Sequence, residues 1–203
     1  MLQAVESPGA RLRQFAERRT AAERCDLCGR ELAVEHEHVL DPAAHRLVCA
    51  CGPCAILFVG TDESARKRVP KRVRLLADFR MTDAQWDALR LPINLAFFVR
   101  STPQRRTIAC YPSPAGATES LLSLESWGDI VGANPILANL EPDVEALLVY
   151  RVGEAADYFI APIDHCYRLV GLIRLRWTGF SGGTEVWKEI TSFFTDLRRR
   201  ADA

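Results

Sequence analysis

Residues 25–54 read CDLCGRELAVEHEHVLDPAAHRLVCACGPC, a stretch that carries five of the seven cysteines of the chain and three of its four histidines. Two Cys-x2-Cys pairs, Cys25/Cys28 and Cys51/Cys54, enclose 22 residues. Each pair is followed or interrupted by a glycine, Gly29 behind Cys28 and Gly52 behind Cys51, which lets backbone N–H groups turn toward the sulfurs. Between the pairs the residues read as a strand, a turn at Asp41-Pro-Ala-Ala and a returning strand. Four thiolates offered from two tight turns are the ligand set of a tetrahedral zinc ion, so the stretch predicts a small treble-clef or zinc-ribbon-like metal knuckle. Iron is the alternative occupant of four thiolates.

The same stretch holds more donors than one site needs. Cys49-Ala-Cys51 offers two thiols where the second turn needs one, and the spacing leaves open whether Cys49 replaces Cys51 or stays spare. His36 and His38 alternate along one strand and share a face. With Cys49 on the returning strand they offer a second, open metal position, for which His38 and Cys49 are the candidate ligands. Otherwise His36, between Glu35 and Glu37, reads as a solvated surface imidazole, as does His45.

Outward from the knuckle, residues 1–24 carry a weak helical pattern through Leu12 and Phe15. On the other side, Arg66, Lys67, Arg68, Lys71, Arg72 and Arg74 crowd around Pro70. This run reads as a solvated basic linker, or as a patch for phosphate or an acidic partner; no aromatic side chains are interleaved to stack bases. The chain thus divides into a helix and Cys-rich zinc module (1–60), a basic linker (61–74) and a larger domain (75–203).

In the larger domain, strands are expected at Val73–Phe79, Leu95–Ser101, Arg106–Tyr111, Glu145–Val152 and Tyr158–Ile163. Helices are expected from Thr82 to Leu89, with Thr82 as N-cap, from Ser120 to Gly132, from an Asp164 cap to Trp177, and from Glu185 to Arg200. Tyr111–Ser120 reads as a rigid loop leading into a helix capped by Thr118. Elements in this mixed order predict an α+β fold, a largely antiparallel sheet with packed helices, over a doubly wound one.

Composition narrows the function. Hydrophobic residues make up 48% and charged residues 26%, which is ordinary globular usage, and 26 basic against 26 acidic residues give no net field toward polyanions or membranes. No apolar run approaches the ~20 residues of a membrane span, and the N-terminal residues lack the apolar core of a secretory signal. An odd cysteine count fits reduced thiols in the cytoplasm. No nucleophile elbow, phosphate-binding glycine loop or dinucleotide fingerprint occurs. Asp164-His165-Cys166 resembles fragments of a catalytic set, but consecutive helical residues point apart, so no catalytic residues are assigned.

Glu37-His38-Val39 between two Cys pairs is similar to treble-clef His-Asn-His nucleases. The sequence after Cys54, Ala55-Ile56-Leu57-Phe58, lacks the polar second ligand of that family, which weakens the nuclease alternative. Over residues ~25–200, the phrases Cys25-Asp-Leu-Cys28-Gly, His36-Glu-His38, Cys49-Ala-Cys51-Gly-Pro-Cys54-Ala-Ile-Leu-Phe58, Tyr111-Pro-Ser-Pro-Ala-Gly-Ala-Thr-Glu-Ser120, Pro162-Ile-Asp-His-Cys-Tyr167 and Gly179-Phe-Ser-Gly-Gly183 resemble an uncharacterised bacterial family encoded in nickel-iron hydrogenase gene clusters. The resemblance implies an accessory role beside hydrogenase maturation or assembly factors, with a hydrogenase subunit or maturation factor as protein partner. Two functions follow as expectations. One is a non-catalytic accessory protein with structural zinc at Cys25, Cys28, Cys51 and Cys54. The other is a metal-handling or redox protein in which Cys49 and His38 hold a labile metal, or the Cys cluster holds iron.

Overall fold

The strands of the central sheet are almost wholly apolar, and both faces are covered. Leu95-Ala-Phe-Phe-Val, Ala146-Leu-Leu-Val-Tyr and Tyr158-Phe-Ile-Ala are buried at every position. A strand that hides only one face alternates apolar with polar residues; these do not, so each must sit between two layers. The computed structural model, which describes residues 23–60, 65–120, 127–153, 156–179 and 182–201, has that arrangement.

Strands β4 (Arg74–Leu75), β5 (Leu95–Ser101), β6 (Arg106–Ser113), β7 (Gly116–Glu119), β8 (Glu145–Tyr150) and β9 (Asp157–Pro162) form one antiparallel sheet in the order β4-β9-β8-β5-β6-β7. Period-two alternation divides their side chains. Phe97, Leu148, Phe159 and Ala161 face helices α4 (Ile163–Arg176) and α5 (Gly183–Ala201), where Leu169, Ile173, Ile190 and Phe194 meet them. Phe98, Leu147, Val149 and Ile160 face the other way, toward Trp86 and Leu89 of and beside α2 (Asp83–Ala88), Ile130 of α3 (Trp127–Ala133) and Leu137 in the short 3-10 turn Pro135–Asn139. The α+β reading therefore holds, with an antiparallel sheet and packed helices.

The N-terminal sheet is smaller. β1 (Glu37–Asp41) pairs with β2 (Arg46–Ala50) on one side and with the two-residue β3 (Lys67–Arg68) on the other. Helix α1 (Gly52–Leu57) follows β2 directly, which gives the treble-clef order of turn, hairpin and helix. β1 faces two cores at once. Val39 joins Val48, Ala50 and Ala55 beside the cysteines, whereas Leu40 packs with Val69 and Val73 into the main core.

Several expectations are corrected. The basic run is not free in solvent: it contains β3, buries Val69 and Val73, and pairs Arg66 with Asp41, Lys67 with Asp143, and both Arg68 and Lys71 with Glu37. The strand expected over Val73–Phe79 shrinks to β4. The segment Tyr111–Ser120 is a hairpin, not a loop entering a helix; Thr118 pairs with Tyr111 in β7. Pro112 continues β6 because β5 stops pairing at Cys110, so the missing proline N–H leaves no gap in that ladder. Asp164 is in the first turn of α4 rather than at its cap, which is Pro162. Residues 1–22 of the helix expected over 1–24 and residues 121–126 of that expected over 120–132 lie outside the described residues; Arg24 is not helical but bridges to Glu31. No helix among the described residues is long and apolar enough to cross a membrane.

Candidate metal centre

Cys25 and Cys28 sit in a tight turn closed by hydrogen bonds from Gly29 N–H to the Cys25 carbonyl (2.8 Å) and from Cys25 N–H to the Arg30 carbonyl (2.8 Å). Gly29 takes φ +76°, a conformation that side chains with a Cβ resist. Asp26 fastens this turn to β2, donating its N–H to the Cys49 carbonyl at 2.9 Å and accepting the Cys49 N–H at 2.8 Å through Oδ2. On the other side, Cys51 is the N-cap of α1 but caps nothing with its side chain, and Pro53 in the first turn fixes the helical entry. The thiols of Cys51 and Cys54 are thereby turned toward the first pair.

One sulfur from each of Cys25, Cys28, Cys51 and Cys54 lies within 4.8 Å of all the others. Cys28 and Cys51 Sγ are 3.7 Å apart. A tetrahedron with zinc–sulfur bonds of about 2.3 Å has edges of about 3.8 Å, so this pair already has the spacing of two ligands on one ion. It is far beyond the ~2.05 Å of a disulfide, and all seven cysteines are free thiols. Cys25, Cys51 and Cys54 are buried and Cys28 is exposed, so an ion here would be covered on three sides.

The thiols behave as one electrostatic unit. Burial raises the Cys25 pKa, but hydrogen bonds from the backbone at Cys51, Leu27 and Cys28 outweigh it and bring it down to about 6. Burial, and then the neighbouring sulfurs of Cys51, Cys28 and Cys25, push Cys54 up to about 12. One thiolate forms readily and the last is resisted, because each added negative charge sits among the others. A dication at the centre removes that conflict, which is the chemistry of a closed four-thiolate zinc site.

Cys49 belongs elsewhere. It stands directly opposite His38 in the β1/β2 register, on the face away from Val48 and Ala50. One donor atom each of His36, His38 and Cys49 lies within 4.8 Å of the other two. The imidazoles of His36 and His38 meet edge to face with centroids 4.8 Å apart. His36 is not the solvated imidazole expected from its acidic neighbours: its side chain is 8% exposed. His45, in contrast, is an exposed residue of the β1/β2 turn.

Asp164 ties this cluster to the larger sheet domain. Its Oδ2 accepts from His38 Nδ1 at 2.9 Å and its Oδ1 from His165 Nδ1 at 3.0 Å. Burial alone would raise its pKa; the hydrogen bonds from His165 and His38 outweigh it and hold the carboxyl well below the usual carboxylate range. Adjacent helical residues do meet here, because Asp164 bends back to its neighbour. Cys166 instead points into the core, fully buried, with its thiol pKa pushed far up by burial. Sequence reasoning placed Asp164 as a cap and missed this contact; the partner is 126 positions away, and no local pattern announces it.

Glu37, the acidic residue of the nuclease-like triplet, is committed to a different task. The hydrogen bond from Arg68 lowers its pKa to about 2 against the cost of burial, and Lys71 adds to the effect. The sequence over residues 24–201 matches the DUF5947 family, a family of unknown function. The chain belongs to this family. The family match spans both the knuckle and the six-stranded sheet, so the two donor clusters and the Asp164 link all fall inside it. No curated protein and no solved structure matches the chain.

Proposed function

We propose that this member of the family is a non-catalytic accessory protein built on a structural zinc at Cys25, Cys28, Cys51 and Cys54. The observation that carries the reading is the convergence of four sulfurs within 4.8 Å in a small core whose other buried side chains are Val39, Val48, Ala50 and Ala55. So little apolar surface does not hold nearly forty residues in one conformation, and a metal is the usual remedy in modules of this size. A closed, four-ligand site has no position for substrate, which suits structure rather than catalysis.

The accessory role rests on the resemblance of the Cys25-to-Cys54 and Pro162-to-Tyr167 phrases to proteins encoded beside nickel-iron hydrogenases. On that reading the protein acts on a hydrogenase subunit or maturation factor, in the cytoplasm. Metal analysis with an absorption spectrum tests the first part: zinc held by four thiolates is colourless, and iron there would absorb in the visible. Finding the four thiols freely titratable with no bound metal would overturn it. Co-purification with the cognate hydrogenase subunits and maturation factors tests the second, and absence of every one of them would refute the partner.

A further inference from the structure

The hydrogen-bonding chemistry of the second cluster fixes its tautomers. His36 Nδ1 lies 3.0 Å from the Ala33 carbonyl, which can only accept, so in the neutral imidazole that binds a metal Nδ1 carries the proton and Nε2 the lone pair. His38 Nδ1 faces the Asp164 carboxylate at 2.9 Å, which by the same logic leaves His38 Nε2 with the lone pair. His36 Nε2 is buried and has no hydrogen-bond partner, on a side chain only 8% exposed. A buried acceptor that nothing meets keeps the full penalty of its lost hydration. Among the described residues the thiol of Cys49, opposite His38, makes no hydrogen bond either; its backbone binds Asp26.

We propose that His36, His38 and Cys49 form a second metal site, holding a divalent transition ion through two imidazole Nε2 atoms and one thiolate and leaving a fourth position open. The site shares none of the ligands of the structural zinc. Nitrogen and thiolate donors suit zinc and its neighbours rather than magnesium or calcium. Asp164 is the positioning residue: it holds the His38 ring and its tautomer from the outer shell, the carboxylate–histidine–metal arrangement of zinc sites. Both imidazoles, though not Cys49, line a pocket of about 550 Å³ shared with Asp164 and His165, and an exchangeable ligand would approach the ion from this side.

The class of that ligand follows from charge. Lys71, Arg168 and Arg200 line the pocket against Glu23, Glu35 and Asp164, so the lining carries no net formal charge. A dication with one thiolate and two neutral imidazoles retains one positive charge, which selects water or a small monodentate anion.

The test is metal titration of the full chain with zinc and with cobalt, whose visible spectrum reports its ligands. Two equivalents are expected in the wild type. The variants H36Q, H38Q and C49S are each expected to hold one, with a circular dichroism spectrum and a tetrathiolate cobalt spectrum like those of the wild type. Asp164→Asn is expected to weaken only the second equivalent, by about 10–100-fold. Azide is expected to shift the ligand-field bands of the second cobalt and leave the first unchanged. A single equivalent at saturating metal, a second equivalent that survives both H36Q and C49S, or a second spectrum unmoved by azide would each overturn the proposal.

Discussion

Asp143 is the strut between the two sheets, and its removal should be felt across the molecule. It sits before β8 at φ +70°, buried, and accepts from Lys67 Nζ at 2.6 Å on β3, from Thr102 N–H at 2.8 Å and from Thr102 Oγ1 at 2.6 Å beyond β5. The Lys67 side chain is 18% exposed, and its next nearest acceptor is the Pro142 carbonyl at 3.4 Å. Asp143→Ala therefore takes the shared acceptor away from a largely buried ammonium and a backbone N–H. Breaking a buried pair from one side costs about 3–5 kcal/mol. The positive φ adds a share of the roughly 1–2 kcal/mol that a Cβ residue other than Asn or Asp meets there. Asn fits the same backbone and keeps an acceptor for Thr102 N–H, so Asp143→Asn should cost about 1–3 kcal/mol. Urea unfolding followed by tryptophan fluorescence and circular dichroism measures both. The double variant Lys67→Met with Asp143→Asn closes a mutant cycle, in which the coupling between the two positions should exceed about 1 kcal/mol. A loss below about 1 kcal/mol for Asp143→Ala, or no coupling in the cycle, would show that Asp143 does not join the sheets and would leave that role to the His38–Asp164 contact and to the packing of Leu40, Val69 and Val73.

Chelation of the structural metal, or Cys54→Ser, should expose the N-terminal thiols to alkylation and unfold residues 23–60 while the six-stranded sheet keeps its circular dichroism; proteolysis confined to that module checks it. In the native protein Cys110 and Cys166 should resist thiol reagents at pH 8, since burial pushes Cys110 up to about 12 and Cys166 further, and mass spectrometry after brief labelling should find modification only elsewhere. Phe98→Ala should cost about 3–5 kcal/mol, because the ring is wholly buried and stacks on Trp127 with centroids 4.8 Å apart; a urea midpoint near that of the wild type would contradict the packing. Gly182→Ala should destabilise the entry to α5, since φ is +87° and a Cβ would come within 2.8 Å of Val186 Cγ1 and 3.0 Å of Trp177 Cε3; the melting temperature reads it out.

The parts legible in the sequence are those whose signal is local. Two Cys-x2-Cys pairs announce the knuckle, and unbroken apolar runs such as Leu95-Ala-Phe-Phe-Val announce strands covered on both faces. Thr82, expected as an N-cap, is one, and the structure adds Gln85 to make a capping box in which each side chain meets the other's backbone N–H. What was illegible depends on distant partners. Lys67-Arg68 becomes a strand only because β1 lies beside it, and its charges disguise the buried Val69. The expected strand ended at Tyr111, before Pro112, yet pairing with β5 already ends at Cys110 while β7 still pairs at Pro112, so β6 runs through the proline. The placement of Cys49 was half legible: alternation put it on the face of His38, while its separation from Cys51 required knowing that β2 ends at Ala50 and turns into α1.

The link between His38 and Asp164 also sets an order of events during synthesis. All ligands of the four-thiolate cluster have been made once residue 54 is joined to the chain, whereas the carboxylate that orients His38 follows about 110 residues later. At about 5–20 residues per second, translation separates the two by roughly 5–20 s. A nascent chain can thus fill its sulfur-only cluster from the thiophilic ions around it before the mixed imidazole and thiolate cluster has its full shape. His36, His38 and Cys49 themselves precede Cys54, so what arrives late is only the carboxylate that orients His38.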